Sequence, residues 1–363
     1  MNVVPVAEPR WWYDPELAGS SAPRLLAPVS WVWGQVAAAR LRGAPDFRSR
    51  YPVVCVGNFT AGGTGKTPLT IALGNGLREL GYEPLALTRG YGARKGPPRW
   101  VDASGATADD VGDEALLLAR TMPVVVSADR AAGAAFIEAE RPAAPRTVIL
   151  MDDGLQNPTL AKDVAIAVVD GRRGIGNGRV IPAGPLRARM ADQWPLVDAV
   201  VVNGGARDWT VADLARPPAD GNPLNFLDRA QVPVVRATML PSSDTAWLRE
   251  RPVFAYCGIG NPARFYDLLQ ELGAEALETR TFSDHHPFTE REAAELIELA
   301  GRTGATLVTT EKDWVRLSGL GGVRGDLKAK SRPLPVALAF DVKGQKTLLD
   351  VVCAGIEERT QKA

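Results

Sequence analysis

One short stretch constrains the fold of this chain more than any other. The run "VGNFTAGGTGKTP", residues 56–68, follows an apolar segment typical of a buried strand and leads into a predicted helix from Pro68. A glycine-rich loop between strand and helix is typical of phosphate-binding loops, because glycines let backbone N–H groups curl around phosphate oxygens. The helix N-terminus that follows also favours anions. The sequence therefore predicts a nucleotide site in an α/β fold.

The loop departs from the usual pattern at one position. G-x-x-x-x-G-K-[ST] requires glycine at position 60, where this chain has Thr60. The "GGTGKT" core nevertheless keeps each group that touches phosphate: Lys66 is expected to reach the β- and γ-phosphates, and the Thr67 hydroxyl to bind Mg²⁺. The predicted nucleotide-binding residues are Thr60, Ala61, Gly62, Gly63, Thr64, Gly65, Lys66 and Thr67.

A pair of carboxylates supports this site. "VILMDDGLQ" is an apolar strand that ends in Asp152 and Asp153. Carboxylates at the carboxyl end of a parallel strand lie where open α/β sheets bind ligands, and a carboxylate there holds Mg²⁺ in P-loop proteins. We expect Asp152 to take part in catalysis, and the Mg²⁺ ligand stays open among Thr67, Asp152 and Asp153.

Apolar runs alternate with helical stretches between residues 51 and 240, which indicates βαβ units and a parallel sheet. The predicted strands lie in "YPVVCV", "EPLALT", "MPVVVSA", "RTVILMD", "VAIAVVD" and "LVDAVVVN". A second α/β segment begins near residue 250, after a Pro-rich stretch at 217–243 that is the predicted linker. The predicted fold is thus α/β, with an N-terminal arm (1–50), a P-loop NTPase-type domain with a mostly parallel sheet (51–240) and a smaller α/β domain (241–363).

Charge and cysteine content narrow the function classes. The 42 basic and 42 acidic residues cancel, so no overall field favours nucleic acid as a partner. The three cysteines are far apart, which fits a reducing compartment and gives no zinc pattern. We find no apolar run long enough to span a bilayer and no secretory signal, and no obligate protein partner is evident. These features predict catalytic machinery in the cytoplasm.

Further motifs, in order, give the chain a family resemblance. They are "TRGYG" (88–92), "GDEA" (112–115), "SADR" (127–130), "NGRVIPAGPLR" (177–187), "FSDHHPFT" (282–289) and "TTEKDWVRL" (309–317). Together with the loop and "DDGLQN" they resemble the tetraacyldisaccharide 4′-kinases over roughly residues 20–320. The resemblance implies transfer of the ATP γ-phosphate to the 4′-hydroxyl of a tetraacyldisaccharide 1-phosphate in lipid A biosynthesis. It also implies a peripheral enzyme at the cytoplasmic face of the inner membrane.

The resemblance also implies roles for individual residues. Asp113 of "GDEA" is the candidate base, and the family pairs it with a histidine that here is His285, rather than its neighbour His286. Because these two lie in different predicted domains, their pairing would couple proton removal to domain closure. The planar guanidinium group of arginine binds phosphate with two parallel hydrogen bonds. Arg89, Arg130 and Arg187 are therefore candidates to bind the acceptor's 1-phosphate or the nucleotide. Glu114 is a further candidate for substrate or metal contact.

The N-terminal arm contains an apolar stripe. On a helical wheel of residues 25–40, seven residues fall within about 140°: Leu25, Leu26, Val29, Val32, Trp33, Val36 and Ala37. Such an amphipathic helix is too short to span a bilayer, but it is suited to lie in the interface with tryptophan at headgroup depth. We therefore expect the arm to bind the membrane surface; the alternative is a helix packed on the protein's own core.

Two other functions remain open at the level of sequence. A P-loop kinase or ligase with a soluble acceptor would carry the same loop. A nucleotide-switch or metallochaperone GTPase would normally carry an N/T-K-x-D motif, but "VVVNGGARD" lacks the lysine and "TTEKDW" matches imperfectly. Nucleotide preference and phosphate transfer to a lipid acceptor distinguish these alternatives.

Overall fold

The computed structural model describes residues 8–14, 16–141, 146–204, 232–275 and 278–361. Contacts between Cα atoms group these residues into two compact units. The larger unit comprises the described parts of 8–89, 127–239 and 338–361, and the smaller comprises those of 90–126 and 240–337. This grouping differs from the predicted boundaries, since residues 90–126 join the smaller unit and the C-terminal residues join the larger.

Strands and helices alternate along much of the chain, as predicted. The strands are β1 (Val53–Gly57), β2 (Glu83–Thr88), β3 (Arg99–Trp100), β4 (Val124–Val126), β5 (Thr147–Asp152), β6 (Val164–Asp170), β7 (Ala199–Asn203), β8 (Val234–Pro241), β9 (Val253–Cys257), β10 (Glu278–Thr281), β11 (Thr306–Thr310), β12 (Ser331–Leu334) and β13 (Val336–Phe340). The helices are α1 (Ser21–Leu25), α2 (Ala27–Leu41), α3 (Lys66–Glu79), α4 (Ala108–Val111), α5 (Asp113–Ala119), α6 (Arg130–Glu140), α7 (Met190–Gln193), α8 (Pro262–Glu271), α9 (Glu290–Thr303), α10 (Glu311–Arg316), α11 (Gly322–Lys330) and α12 (Val342–Gln361).

The larger unit is built on a parallel sheet. Its strands lie in the order β8-β7-β6-β1-β5-β2, and each neighbouring pair is parallel. The residues of β1, β5 and β6 are buried throughout, which explains their continuous apolar sequences. All six predicted strand segments contain a strand. The carboxyl ends of these strands form one edge, and the phosphate loop follows β1 at that edge.

The predicted linker at 217–243 needs a correction. Residues 217–231 lie outside the described residues, but Val234–Pro241 form β8, which pairs with β7. Val235 and Ala237 are buried on one side of this strand, while its other residues are partly or fully exposed. A strand with one buried face has a weak apolar signal, and the neighbouring prolines masked it.

The smaller unit contains a four-stranded parallel sheet in the order β10-β9-β11-β12. Alternate residues of β9 enter two separate apolar cores: Phe254 and Tyr256 pack in one, and Ala255 and Cys257 in the other. Both faces of this sheet are therefore covered, as parallel strands require. The loops that leave its strands, together with α5 and α10, carry the second group of candidate site residues.

The N-terminal arm forms α1 and α2, and α2 packs on the protein through residues outside its predicted stripe. Its inner side consists of small residues, and Ser30 there donates a hydrogen bond to the Val180 carbonyl oxygen at 2.6 Å. The predicted stripe faces outward: Val29 and Val32 are 57% and 54% exposed. The alternative prediction, that this stripe packs on the protein's own core, is therefore wrong. No helix in the described ranges has the length and apolarity needed to cross a bilayer.

Candidate active site

The phosphate loop connects β1 to α3 as the sequence predicts, although the helix begins at Lys66, two residues before Pro68. Gly62 and Gly65 have φ angles of +96° and +101°, a region that favours glycine. Gly65 is also the N-cap residue of α3. These glycines allow the loop to turn, and such a loop before a helix N-terminus is suited to bind an anion.

Thr60 occupies the position where the usual pattern has glycine, and the structure explains why no glycine is needed. Thr60 forms an antiparallel bridge with Leu186, so it is strand-like rather than left-handed. The flanking backbone is held in the same way: Ala61 N–H donates to the Pro185 carbonyl at 2.8 Å, and Arg187 N–H donates to the Phe59 carbonyl at 2.9 Å. A Cβ atom is tolerated in such an extended position.

The candidate Mg²⁺ ligands lie beside the loop. The Thr67 hydroxyl donates to Asp152 Oδ2 at 3.1 Å, and the Thr70 hydroxyl donates to Asp152 Oδ1 at 3.0 Å. A hydroxyl and a carboxylate are oxygen ligands of the kind that Mg²⁺ prefers, with substrate phosphates completing its shell. The described residues contain no cluster of three or more His, Cys, Asp or Glu that would hold a metal without a nucleotide. These residues therefore fit Mg²⁺ bound together with a nucleotide.

Asp153 is held by two cations. Its carboxylate lies 3.7 Å from Lys66 Nζ and accepts hydrogen bonds from Arg187 at 2.8 and 3.3 Å. Burial would raise the pKa of Asp153, but Lys66 and Arg187 lower it to about 2. Its backbone is left-handed, with φ at 52°. Asp153 is thus ionised at neutral pH and offsets the positive charges of Lys66 and Arg187.

The three candidate arginines have different surroundings. Arg187 also donates from Nε to the Thr60 carbonyl at 3.1 Å, which places it at the phosphate loop. Arg130 is buried at the start of α6, where burial lowers its pKa to about 10 although Asp153 opposes this. Arg89 is exposed and directly follows β2 at the carboxyl edge of the sheet. Arg187 and Arg130 therefore both interact with Asp153, beside the phosphate loop.

A second cluster forms around Asp113, the first residue of α5. Its Oδ2 lies 3.0 Å from His285 Nδ1, although 172 residues separate the two in sequence. His285 has a left-handed backbone, with φ at 58°, and its N–H donates to the Gly258 carbonyl at 3.2 Å. Both residues lie in the smaller unit, whereas the predicted boundaries assigned them to different domains.

Two cations from α10 complete this cluster. Arg316 donates to Asp113 Oδ2 from Nη2 at 2.6 Å, and Lys312 Nζ lies 3.2 Å from His285 Nε2. Burial would raise the pKa of Asp113, but Lys312, His285 and Arg316 together lower it far below its usual value. Glu114 lies 3.6 Å from Lys312, so it contributes to the same network.

The other histidine has a structural environment. His286 Nε2 lies 2.9 Å from Glu292, whose carboxylate also accepts hydrogen bonds from Thr289 in the capping box of α9. The His286 ring stacks on Phe282 with centroids 4.9 Å apart. The adjacent histidines thus have separate partners, and His285 is the one that reaches Asp113.

Comparison with known proteins identifies the family. The profile of the tetraacyldisaccharide-1-phosphate 4′-kinase (LpxK) family matches residues 22–354. The chain belongs to this family. It is 46% identical over 346 residues to the tetraacyldisaccharide 4′-kinase of Rhodopseudomonas palustris CGA009, covering 94% of this chain and 95% of the relative. It is 49% identical over 309 residues to that of Methylobacterium sp. 4-46, covering 85% and 87%.

A solved structure supports the fold of this family member. LpxK from Aquifex aeolicus, crystallised with ATP, aligns with a TM-score of 0.66 at 22% identity and covers 91% of this chain and 99% of that one. The predicted α/β P-loop fold is therefore confirmed. Family and relatives also confirm the predicted activity, that of an ATP-dependent 4′-kinase in lipid A biosynthesis.

Sequence reasoning missed two residues of the kinase's second cluster. Lys312 and Arg316 lie in "TTEKDWVRL", which contributed to the resemblance without a role for either cation. Their spacing of four residues places them on one face of a helix, which is a usable signal for a shared anionic partner. The identity of that partner, Asp113, depends on the tertiary fold.

Proposed function

We propose that this kinase performs the transfer with two groups of residues, one for ATP and one for the acceptor hydroxyl. The observation that carries the proposal is the pairing of buried Asp113 with partly exposed His285, beside which a sugar hydroxyl would lose its proton. The phosphate loop supplies the other half, because its glycines and Lys66 suit a triphosphate. The acceptor is the 4′-hydroxyl of a tetraacyldisaccharide 1-phosphate.

The nucleotide residues neutralise charge. Lys66 would leave Asp153 and bind the β- and γ-phosphates, while the loop N–H groups bind the remaining phosphate oxygens. Thr67 and Asp152 would hold Mg²⁺, which when bound neutralises phosphate charge and orients the γ-phosphate. Arg187 would keep Asp153 paired after Lys66 has moved. The loop thereby exchanges an internal ion pair for contacts with the nucleotide.

Asp113 would accept the proton of the attacking hydroxyl. Its lowered pKa makes it a weak base, which is sufficient because phosphoryl transfer has a loose transition state with little need for an activated nucleophile. The Lys312 ammonium has only donors, so His285 Nε2 accepts from it. The ring proton is then on Nδ1 and is donated to Asp113. His285 therefore orients the carboxylate rather than removing the substrate proton itself.

Two further contacts concern the acceptor. Arg89 is the exposed arginine of the three candidates, so it is our choice for the acceptor's 1-phosphate. The outward-facing side of α2 would lie in the membrane interface, where Trp31 and Trp33 suit headgroup depth. The proposed site of action is the cytoplasmic face of the inner membrane, where ATP is present.

Transfer of radiolabel from ATP tests this function. The purified protein should label a detergent-dispersed tetraacyldisaccharide 1-phosphate, and it should do so with ATP in preference to GTP. Lys66→Ala should lower transfer by ~10²-fold or more, because it removes a contact to the transferred phosphate. Lys346→Ala is the matched control, since Lys346 is exposed and pairs with Asp350, one turn further along α12. Labelling of soluble acceptors alone, or strict dependence on GTP, would contradict the proposal.

A further inference from the structure

Side chains hold the phosphate loop from outside through its carbonyl groups. Four loop carbonyls accept a hydrogen bond from a side chain of the larger unit. The pairs are Thr60 with Arg187 Nε at 3.1 Å, Ala61 with Tyr13 Oη at 3.4 Å, Gly62 with Asn58 Nδ2 at 3.3 Å, and Thr64 with Asn203 Nδ2 at 2.8 Å. Carbonyl oxygens that point outward cannot repel phosphate oxygens on the inner side of the loop.

Asn203 makes the shortest of these four contacts and comes from a rigid element. It is the last residue of β7, almost completely buried, and it lies in register with Asp170 of β6. Its own carbonyl accepts a hydrogen bond from Gly171 N–H at 3.0 Å. The parallel sheet therefore fixes the position of its amide relative to the loop.

The contact determines how one loop peptide is oriented. In a trans peptide plane the C=O and the following N–H point in opposite directions. Because Asn203 binds the Thr64 carbonyl, the N–H of Gly65 points the other way. Gly65 has a left-handed backbone, and a Cβ atom at this position would collide with the Asn203 amide. The contact with Asn203 therefore requires glycine at position 65.

We infer that Asn203 is a positioning residue for ATP. By holding the Thr64 carbonyl on the outer side, it directs the Gly65 N–H toward the phosphates. The residue acts through the loop and does not touch the reacting atoms. This inference rests on the proposed nucleotide role of the loop, and it adds to that role a residue outside the glycine-rich motif.

Equilibrium binding of ATP with Mg²⁺ tests the inference without any acceptor. Asn203→Ala removes the donor and leaves a buried carbonyl without this partner, so the Kd for ATP should rise by about tenfold. Asn203→Asp keeps the shape but puts a carboxylate against the Thr64 carbonyl, so its Kd should rise further. The KM for ATP should rise in parallel, while the KM for the acceptor stays the same. Asn203→Ser, which leaves room for a bridging water, should be intermediate.

Asn75→Ala is the control, since Asn75 is exposed near the far end of α3 and should leave the Kd unchanged. A purely structural role for Asn203 would lower the melting temperature and the active fraction while the Kd for ATP stays at the wild-type value. That result, or an Asn203→Asp variant that binds ATP as wild type does, would overturn the inference. If wild type binds ATP but labels no lipid acceptor, the proposed function fails while this inference stands.

Discussion

Asp113 combines burial with a lowered pKa, and the neighbouring cations explain why both occur together. If His285 only orients this carboxylate, removal of either residue should lower kcat by ~10²-fold or more and change the KM for ATP little. The double variant should be only slightly worse than the poorer single variant, because the two act as one unit. Steady-state kinetics of Asp113→Ala, His285→Ala and the double variant measure this.

His286→Ala is the control for this comparison of single and double variants. Its partner Glu292 caps α9, so this change should lower the melting temperature slightly and leave kcat near the wild-type value. Because Asp113→Ala removes one of the two carboxylates that contact buried Arg316, the other being that of Asp313, the folding of each variant is checked first, and Asp113→Asn provides a less disruptive replacement. Multiplicative losses in the double variant, or a damaging His286→Ala change, would show that the pairing of Asp113 and His285 is not the catalytic unit.

Sequence patterns point to the residues whose proposed chemistry depends on local sequence. Lys66 and Thr67 are recognisable because a phosphate loop needs its lysine and hydroxyl at fixed positions after the glycines. The link between Asp113 and His285 came from family resemblance, and Arg316 was missed. A buried carboxylate needs cations around it, but its partners come from distant parts of the chain, so single-sequence periodicity does not reveal them.

At the scale of elements, Thr60 stands where the usual loop pattern has glycine, and its β-bridge to Leu186 holds it in an extended conformation. Thr60→Gly should therefore destabilise the protein by about 1 kcal/mol, since glycine loses more entropy in an extended position. Urea unfolding measures this, and turnover should not increase. A variant that is both more stable and faster would mean that Thr60 is strained in the native loop.

The outward face of α2 gives a second prediction at this scale. Replacing Val29, Val32 and Val36 with serine should release the protein from liposomes, because the buried apolar area that drives interfacial binding is lost. The melting temperature should hardly change, since all three side chains are exposed. Sedimentation with liposomes and a thermal melt measure the two effects.

A matched triple variant controls for general loss of surface hydrophobicity. Leu80, Leu240 and Val342 are also exposed, and serine at these positions should leave liposome binding intact. If the α2 variant still sediments with liposomes, the helix does not bind the membrane.

Elements with a strong apolar pattern in the sequence could be predicted, whereas features that depend on packing against distant residues could not. Each buried parallel strand has a continuous apolar run, so β1, β5 and β6 could be read from the sequence. The one-sided strand β8 was assigned to a linker because its pattern is weak. The wheel of residues 25–40 grouped the apolar side chains of α2 correctly, but a wheel cannot say which side packs on the protein. Small residues such as Ser30 make that contact.

At the scale of the whole molecule, the two groups of site residues belong to different contact units. The loop and its partners lie in the larger unit, and Asp113, with His285, Lys312 and Arg316, lies in the smaller. Each group is held mainly by interactions within its own unit. Changes in one group should therefore leave the equilibrium function of the other group intact, even though the proposed reaction uses both.

ATP binding gives this separation a direct test. Asp113→Asn should bind ATP with the wild-type Kd and lose turnover, whereas Lys66→Ala should lose ATP binding as well. Because a ligand stabilises the native state by RT ln(1 + [L]/Kd), ATP at about 100 times its Kd stabilises by about 2.7 kcal/mol. The melting temperatures of wild type and Asp113→Asn should rise equally at that concentration, and that of Lys66→Ala much less. If Asp113→Asn weakens ATP binding as strongly as Lys66→Ala does, nucleotide affinity depends on the cluster around Asp113, and the two groups cannot be treated as separate.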